Sequence, residues 1–180
     1  MRIVAGERKG ARLDVPAGRD TRPTSDRLRE SLFAILGDVS GLTVLDPFAG
    51  TGALGLEALS RGAARVAFCE TSGQALRALR SNVERLGYGD RAQVRRQDGR
   101  RRMAADARAG VTYQLLLLDP PYRMLAALQE DFSLHLSELL VPGGLAVIES
   151  ASTQPPLELP LVLDTSRVQG AARLTVYRNE

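Results

Sequence analysis

Leu42-Thr43-Val44-Leu45-Asp46-Pro47-Phe48-Ala49-Gly50-Thr51-Gly52-Ala53-Leu54-Gly55 decides the fold. It reads as a short apolar strand, a glycine turn and the opening of a helix. The same alternation continues downstream. Strands are expected at Thr43–Asp46, Arg65–Glu70, Gln93–Gln97, Tyr113–Asp119 and Leu145–Glu149. Helices are expected between them at Ala53–Ser60, Ser72–Leu86, Gly99–Ala109 and Met124–Leu140. Leu115-Leu116-Leu117-Leu118 is an unbroken apolar run between polar residues, the signature of a strand covered on both faces. Strands alternating with helices build a parallel sheet. The tail departs from this. Pro155, Pro156 and Pro160 interrupt the helical pattern, and Leu161–Asp164 and Arg173–Tyr177 follow as strands with no helix between them. The expectation is an α/β fold: seven strands, mostly parallel, ending in an antiparallel hairpin.

The first 41 residues differ in character. Two short apolar/polar alternations around Gly6 and Gly10 predict a hairpin, and Thr24 or Ser25 can cap a helix running to about Leu36. The chain therefore divides into an N-terminal hairpin-and-helix extension, residues 1–41, and a main domain, residues 42–180.

Composition narrows the chemistry. The chain has 180 residues, with 24 Lys+Arg against 21 Asp+Glu, a formal charge of +3. Lys9 is the single lysine, so the cations are almost all arginines, which grip phosphate in planar, bidentate fashion. This permits a nucleic-acid partner without requiring one. The lone cysteine, Cys69, excludes an internal disulfide and a multi-cysteine metal site, and no metal-ligand spacing is present. With His135 as the sole histidine, a Ser-His or Cys-His nucleophile is disfavoured. No membrane span or signal peptide is recognised, so the expected compartment is the cytoplasm.

In an open parallel sheet, ligands bind beyond the carboxyl ends of the strands. Asp46, Phe48, Gly50 and Gly52 follow the first core strand, Glu70 ends the second, and Asp98 follows the third. The glycines let backbone approach a ligand closely, and Glu70 can accept hydrogen bonds from ribose hydroxyls. Together they predict a nucleoside-binding edge. Gly50–Gly55 also matches G-x-G-x-x-G, so a dinucleotide is a rival, and a plain strand-to-helix turn is the bland alternative. Asp46 favours a different cofactor. An acid before the glycine turn repels a pyrophosphate but suits an ammonium group, such as the amino-acid end of S-adenosylmethionine.

Asp119-Pro120-Pro121-Tyr122 closes the leucine-rich strand. Two prolines stiffen the backbone and remove two N–H donors, while their carbonyls remain acceptors. The Asp119 carboxylate and the Pro120 carbonyl can then both accept from one planar NH₂ group, with Tyr122 stacking on the ring or amide that bears it. Accepting those hydrogen bonds frees the nitrogen lone pair for attack on a sulfonium methyl.

Asp46–Gly52 with Asp119–Tyr122 resembles the class I S-adenosylmethionine-dependent amino-methyltransferases. Three further blocks narrow the resemblance to the RsmD family: Arg2-Ile3-Val4-Ala5-Gly6; Arg22-Pro23-Thr24-Ser25-Asp26-Arg27-Leu28-Arg29-Glu30-Ser31-Leu32-Phe33; and Gly52-Ala53-Leu54-Gly55-Leu56-Glu57-Ala58-Leu59-Ser60-Arg61-Gly62-Ala63. The similarity spans essentially the whole chain. The family more often has Leu at Pro47, Ser at Thr51 and Phe at Tyr122. The resemblance implies a Rossmann-like methyltransferase fold, S-adenosylmethionine as cofactor, and methylation of the 2-amino group of one guanine in small-subunit (16S) ribosomal RNA. It places Asp119, Pro120, Pro121 and Tyr122 at the target base and Asp46, Phe48, Gly50, Gly52, Glu70 and Asp98 at the cofactor. Methylation of a DNA adenine or a protein glutamine is the alternative among enzymes. A non-catalytic RNA-binding module is the alternative outside them.

Free ribosomal RNA or an assembling small subunit is the expected partner of a monomeric protein. Arg22, Thr24, Arg27 and Arg29, around the predicted helix start, are the candidate RNA contacts, with local ion pairing to Asp20, Asp26 and Glu30 as their alternative. The arginines flanking Asp98, at 95–96 and 100–102, either meet phosphate or form a solvated helix start. Cys69 is expected to be buried, and His135 to lie on a helix face.

Overall fold

Ser25 starts the first helix as its sequence suggests: its Oγ accepts the Leu28 N–H at 3.1 Å. The structure, a computed structural model, describes residues 1–16 and 25–180. Helix α1 runs Asp26–Leu36 and ends at Gly37. Strand β1 (Thr43–Asp46), helix α2 (Ala53–Ser60), strand β2 (Arg65–Cys69), helix α3 (Gly73–Leu86) and strand β3 (Ala92–Arg95) follow. Next come α4 (Gly99–Arg108), β4 (Tyr113–Leu118), a 3₁₀ turn (Tyr122–Met124) and α5 (Leu125–Leu139). Strands β5 (Leu140–Ala151), β6 (Val162–Gln169) and β7 (Ala172–Arg178) complete the chain. The order across the seven-stranded sheet is β3-β2-β1-β4-β5-β7-β6. By compactness the chain divides into Met1–Asp98 and Gly99–Glu180.

In the first unit, β1 pairs parallel with β2, and β2 with β3. Every residue of α2 is buried, the polar Glu57 and Ser60 among the apolar ones. Helix α3 is one-sided instead: Ala75, Leu76, Leu79, Val83 and Leu86 form its buried stripe. The N-terminal extension belongs to this unit. Arg2 and Arg12 form an antiparallel bridge, and Ile3 and Leu13 beside them are buried. Each such side chain contributes about 1.5–3 kcal/mol by leaving water.

In the second unit, the four leucines of β4 are all buried. Strand β4 pairs parallel with β5, and β7 lies antiparallel between β5 and β6. The Tyr113 hydroxyl donates to Asp106 at 2.6 Å, and Arg102 donates to the same carboxylate at 2.5 Å. Burial, reinforced by that hydrogen bond, pushes Tyr113 up to about 12.

Two boundaries moved substantially from expectation. Strand β5 starts at Leu140, not Leu145, because the polypeptide goes extended directly after α5. Strand β6 reaches Gln169, well past Asp164. Its Thr165-Ser166-Arg167 segment is polar because β6 is the sheet's edge, with β7 on one side only.

Candidate active site

The parallel run of β1, β2 and β3 brings Asp46, Glu70 and Asp98 to one edge of the first unit, since each ends or follows a strand. Asp46 is 1% exposed, and its Oδ2 accepts the Gly55 N–H at 3.2 Å. The carboxylate thereby ties the end of β1 to the first turn of α2 across the intervening loop. Within that loop the Ala49 N–H donates to the Cys69 carbonyl at 3.0 Å, and the Gly52 N–H to the Ala49 carbonyl at 2.7 Å. Gly50 and Gly52 have φ of 55° and 86°. A Cβ added to Gly52 would lie 2.3 Å from Leu79, so both conformation and space demand glycine there. Among the described residues no atom beyond its two chain neighbours comes within 4 Å of a Cβ placed on Gly50, so this backbone faces open space.

Glu70 is held at one oxygen. Its Oε1 accepts the Ser72 N–H at 2.6 Å, and among the described residues Oε2 takes no hydrogen bond. A half-buried carboxylate with one oxygen fixed and one open is suited to hydroxyl donors such as those of a ribose. Phe48 is half-buried in the same loop. The six residues assigned to the cofactor thus share one strand edge.

The Asp119–Tyr122 motif lies immediately after β4. Pro121's carbonyl accepts the Met124 N–H at 2.8 Å and closes the 3₁₀ turn. Among the described residues Pro120's carbonyl accepts no hydrogen bond. The motif therefore keeps an acceptor beside the Asp119 carboxylate. Tyr122 is steadied through its hydroxyl, which donates to Glu149 Oε1 at 3.1 Å from the motif's own unit. Glu149 is 7% exposed, near the end of β5.

The candidate RNA contacts fare differently. Arg22 and Thr24 lie outside the described residues. Arg27 is exposed on the first turn of α1. Arg29 is corrected by the structure. Its side chain is 0% exposed, and its guanidinium donates to the Arg2 carbonyl and to Asp26. Arg29, Leu32 and Phe33 share the buried face of α1, so this cation braces the N-terminal segment at Arg2 and has no surface to give a phosphate. Arg27→Ala is expected to flatten the log affinity–log salt slope for RNA by about 0.7–0.9. Arg29→Ala is expected to leave that slope unmoved and to cost about 2–3 kcal/mol of stability. RNA titrations at three salt concentrations, with melting curves for both variants, check the pair.

Cys69 is buried in β2. His135 is half-buried on α5, and among the described residues its Nδ1 has no partner. Among the described residues no group of three or more His, Cys, Asp or Glu could hold a metal ion. No helix there is long and apolar enough to cross a membrane.

Three buried polar residues were not anticipated from the sequence. Glu149 holds Tyr122. Glu57, 0% exposed, takes the N–H groups of Val4 and Ala5 at 2.7 and 2.9 Å. Asn82 donates to the Thr51 carbonyl inside the glycine loop at 3.1 Å. Asn82 left a signal: at three to four residues from Leu79 and Leu86 it interrupts an apolar stripe, where an amide is costly unless bonded.

Comparison with known proteins agrees with this architecture. The family model described as "Conserved hypothetical protein 95" matches residues 1–178. The chain belongs to the RsmD family. Ribosomal RNA small subunit methyltransferase D of Escherichia coli K12 is 34% identical over 184 residues, covering 100% of this chain and 90% of that protein. "Putative rRNA methyltransferase YlbH" of Bacillus subtilis is 33% identical, covering 99% and 98% respectively. Among solved structures, "Putative methyltransferase yhhF from Escherichia coli" superposes with a TM-score of 0.86 at 34% identity, covering 100% of this chain and 98% of that one. The RsmD kinship thus extends through the N-terminal extension as well as the sheet.

Proposed function

We propose that this protein transfers a methyl group from S-adenosylmethionine to the exocyclic 2-amino group of a guanine in small-subunit ribosomal RNA, in the cytoplasm. The observation that carries this reading is the pair of acceptors after β4: the Asp119 carboxylate, and a Pro120 carbonyl that accepts no hydrogen bond among the described residues. Whole-chain kinship with small-subunit rRNA methyltransferase D supports RNA over DNA or protein as the substrate.

The first-unit edge fits the cofactor. Asp46, buried and bonded to the Gly55 N–H, shapes the glycine turn and sets a negative charge behind it for the ammonium group, while Glu70 Oε2 offers an acceptor for the ribose and Gly50 a backbone open to close approach. Phe48 and Asp98 stand at the same edge for its adenine. When bound, S-adenosylmethionine supplies an electrophilic methyl on a positively charged sulfur. The protein's own part is orientation. Asp119 and the Pro120 carbonyl accept the two amine hydrogens, which holds the nitrogen with its lone pair exposed. Pro121 keeps that turn rigid, and Tyr122, anchored on Glu149, stacks against the base. Residues 1–41 serve as the RNA-facing extension of a methyltransferase domain formed by residues 42–180.

Incubating the protein with S-adenosylmethionine and unmethylated small-subunit ribosomal RNA, then mapping the RNA by mass spectrometry, tests this reading. A single guanine carrying one new methyl on its base is expected. An untouched RNA, or a methyl on adenine, overturns it. Calorimetry separates the cofactors: S-adenosylhomocysteine should bind and NADH should not. Glu70→Ala is expected to raise the Michaelis constant for S-adenosylmethionine by about 10- to 100-fold, the worth of hydrogen bonds to a charged acceptor, and to lower the maximal rate less. Steady-state kinetics at varied cofactor concentration check it.

A further inference from the structure

Asn82 makes four hydrogen bonds from a wholly buried position on α3. Its Oδ1 accepts the Asp14 N–H at 2.7 Å and an Arg85 N–H at 2.9 Å. Its Nδ2 donates to the Asp14 carbonyl at 3.2 Å and to the Thr51 carbonyl at 3.1 Å. Both donors and both acceptor lone pairs of the amide are thus used. The two segments it grips have different assignments. Thr51 lies between Gly50 and Gly52 in the cofactor turn. Asp14 closes the N-terminal arm, which carries the exposed cations Arg2, Arg8, Lys9 and Arg12. Asp14 is held further by the Ser81 hydroxyl at 2.9 Å and by Arg85 at 3.5 Å.

We propose that Asn82 is a positioning residue that couples RNA binding on the N-terminal arm to cofactor binding at the Gly50–Gly52 turn. The inference rests on the functional reading above. Asn82 clasps the Asp14 backbone by both its N–H and its C=O, as a neighbouring strand would, so the amide follows any movement of the arm. The same Nδ2 that meets the Asp14 carbonyl also meets Thr51. An arm pinned by RNA therefore pins the amide, and the amide pins the glycine turn in one conformation. By linkage the effect is reciprocal: the cofactor tightens RNA by the same factor as RNA tightens the cofactor. Core filling alone would favour leucine here, since a buried amide is costly unless bonded.

Equilibrium dialysis of S-adenosylhomocysteine, with and without a saturating transcript of small-subunit ribosomal RNA, measures the coupling. In the wild-type protein, RNA should tighten S-adenosylhomocysteine by about 5-fold or more, at the lower end of usual couplings. Asn82→Asp keeps the size and the acceptors but has no donor for Thr51 or for the Asp14 carbonyl. It should bind S-adenosylhomocysteine about 10-fold more weakly, with the RNA effect reduced to less than about 2-fold. At saturating cofactor and RNA its turnover should return to within about 3-fold of wild type, because Asp119 and Pro120 are untouched. A general loss of stability would not produce this split. An Asn82→Asp variant with the wild-type coupling factor overturns the proposal, as does a wild-type protein that binds both ligands independently. Should Asn82→Asp fail to fold, hydrogen exchange in the wild-type protein decides. The Asp14 amide, donor to Asn82 Oδ1, should exchange several-fold more slowly once S-adenosylhomocysteine is added, and an unchanged rate overturns the proposal. A wild-type protein that binds no S-adenosylhomocysteine overturns the functional reading itself, whereas binding without coupling overturns this inference alone.

Discussion

Asp119→Ala should lower turnover by about 10²–10³-fold, the usual cost of losing one preorganised polar group aimed at a reacting centre. Binding of S-adenosylhomocysteine should stay within about 3-fold of wild type, because the assigned cofactor contacts come from Asp46, Glu70 and the glycine turn. The reason lies in the chemistry of the amine. A guanine 2-amino nitrogen shares its lone pair with the ring, and the protein counters this only by accepting its hydrogens. Removing the carboxylate leaves the Pro120 carbonyl as the sole acceptor of the pair. Asp119→Asn is a sharper version: it keeps the shape and one acceptor oxygen but turns an NH₂ toward the substrate's own NH₂. It should therefore fall nearly as far as alanine. Single-turnover rates with both ligands saturating, alongside calorimetry, separate chemistry from binding. Near wild-type turnover in Asp119→Ala would remove Asp119 from the amine.

The contrast between what the sequence disclosed and what it hid has a physical basis. Buried apolar runs and caps are local and announce themselves. Leu115–Leu118 could only be a covered strand, and Ser25 could only be judged as a cap by the residues after it. The Gly50–Gly52 turn and the Asp119–Tyr122 turn were legible for the same reason, each following directly from its own strand. Strand β6 was truncated in the reading because an edge strand with exposed Leu163 and Val168 carries no burial pattern to follow. Arg29 was misread because charge suggested surface. The decisive signal was positional: it lies three and four residues before Leu32 and Phe33, on the face α1 buries. Asn82 and Glu57 show the same lesson. Their partners are backbone groups 52 to 68 residues distant at Val4, Ala5 and Asp14, and no local pattern reports such contacts. Polar residues on apolar helix faces deserve to be read as ties between segments far apart in the chain.

Glu57→Ala should be the most destabilising single change in the first unit, costing about 3–5 kcal/mol, the range for stripping a buried charged partner from its donors. Glu57 is fully buried in α2 and collects three donors: the Val4 and Ala5 N–H groups and Arg61 Nε at 2.8 Å. Without it, two backbone N–H groups and one guanidinium lose this acceptor, while Arg61 keeps its face-on contact with Phe33 at 4.7 Å. At about 2–4 °C per kcal/mol for a chain of this size, the melting temperature should drop by on the order of 10 °C. The damage should be concentrated in the N-terminal arm. Ser60 still accepts the Arg8 N–H and donates to the Ala5 carbonyl, but these bonds hold the arm only beyond the point that Glu57 fixes. Glu57→Gln separates geometry from charge. It keeps one oxygen acceptor but sets an NH₂ against a backbone N–H, so it should melt between wild type and Glu57→Ala. Gly6→Ala attacks the same junction without touching Glu57. Its φ is 82°, and its new Cβ would lie 1.8 Å from the Ser60 carbonyl oxygen, so the arm would have to lift from α2. If the arm is the RNA-facing element, Gly6→Ala and Glu57→Gln should both weaken RNA binding in proportion to the faster exchange of the Val4 and Ala5 amides. A melting temperature for Glu57→Ala within about 2 °C of wild type would show that the arm is held by its apolar contacts at Ile3 and Leu13 instead.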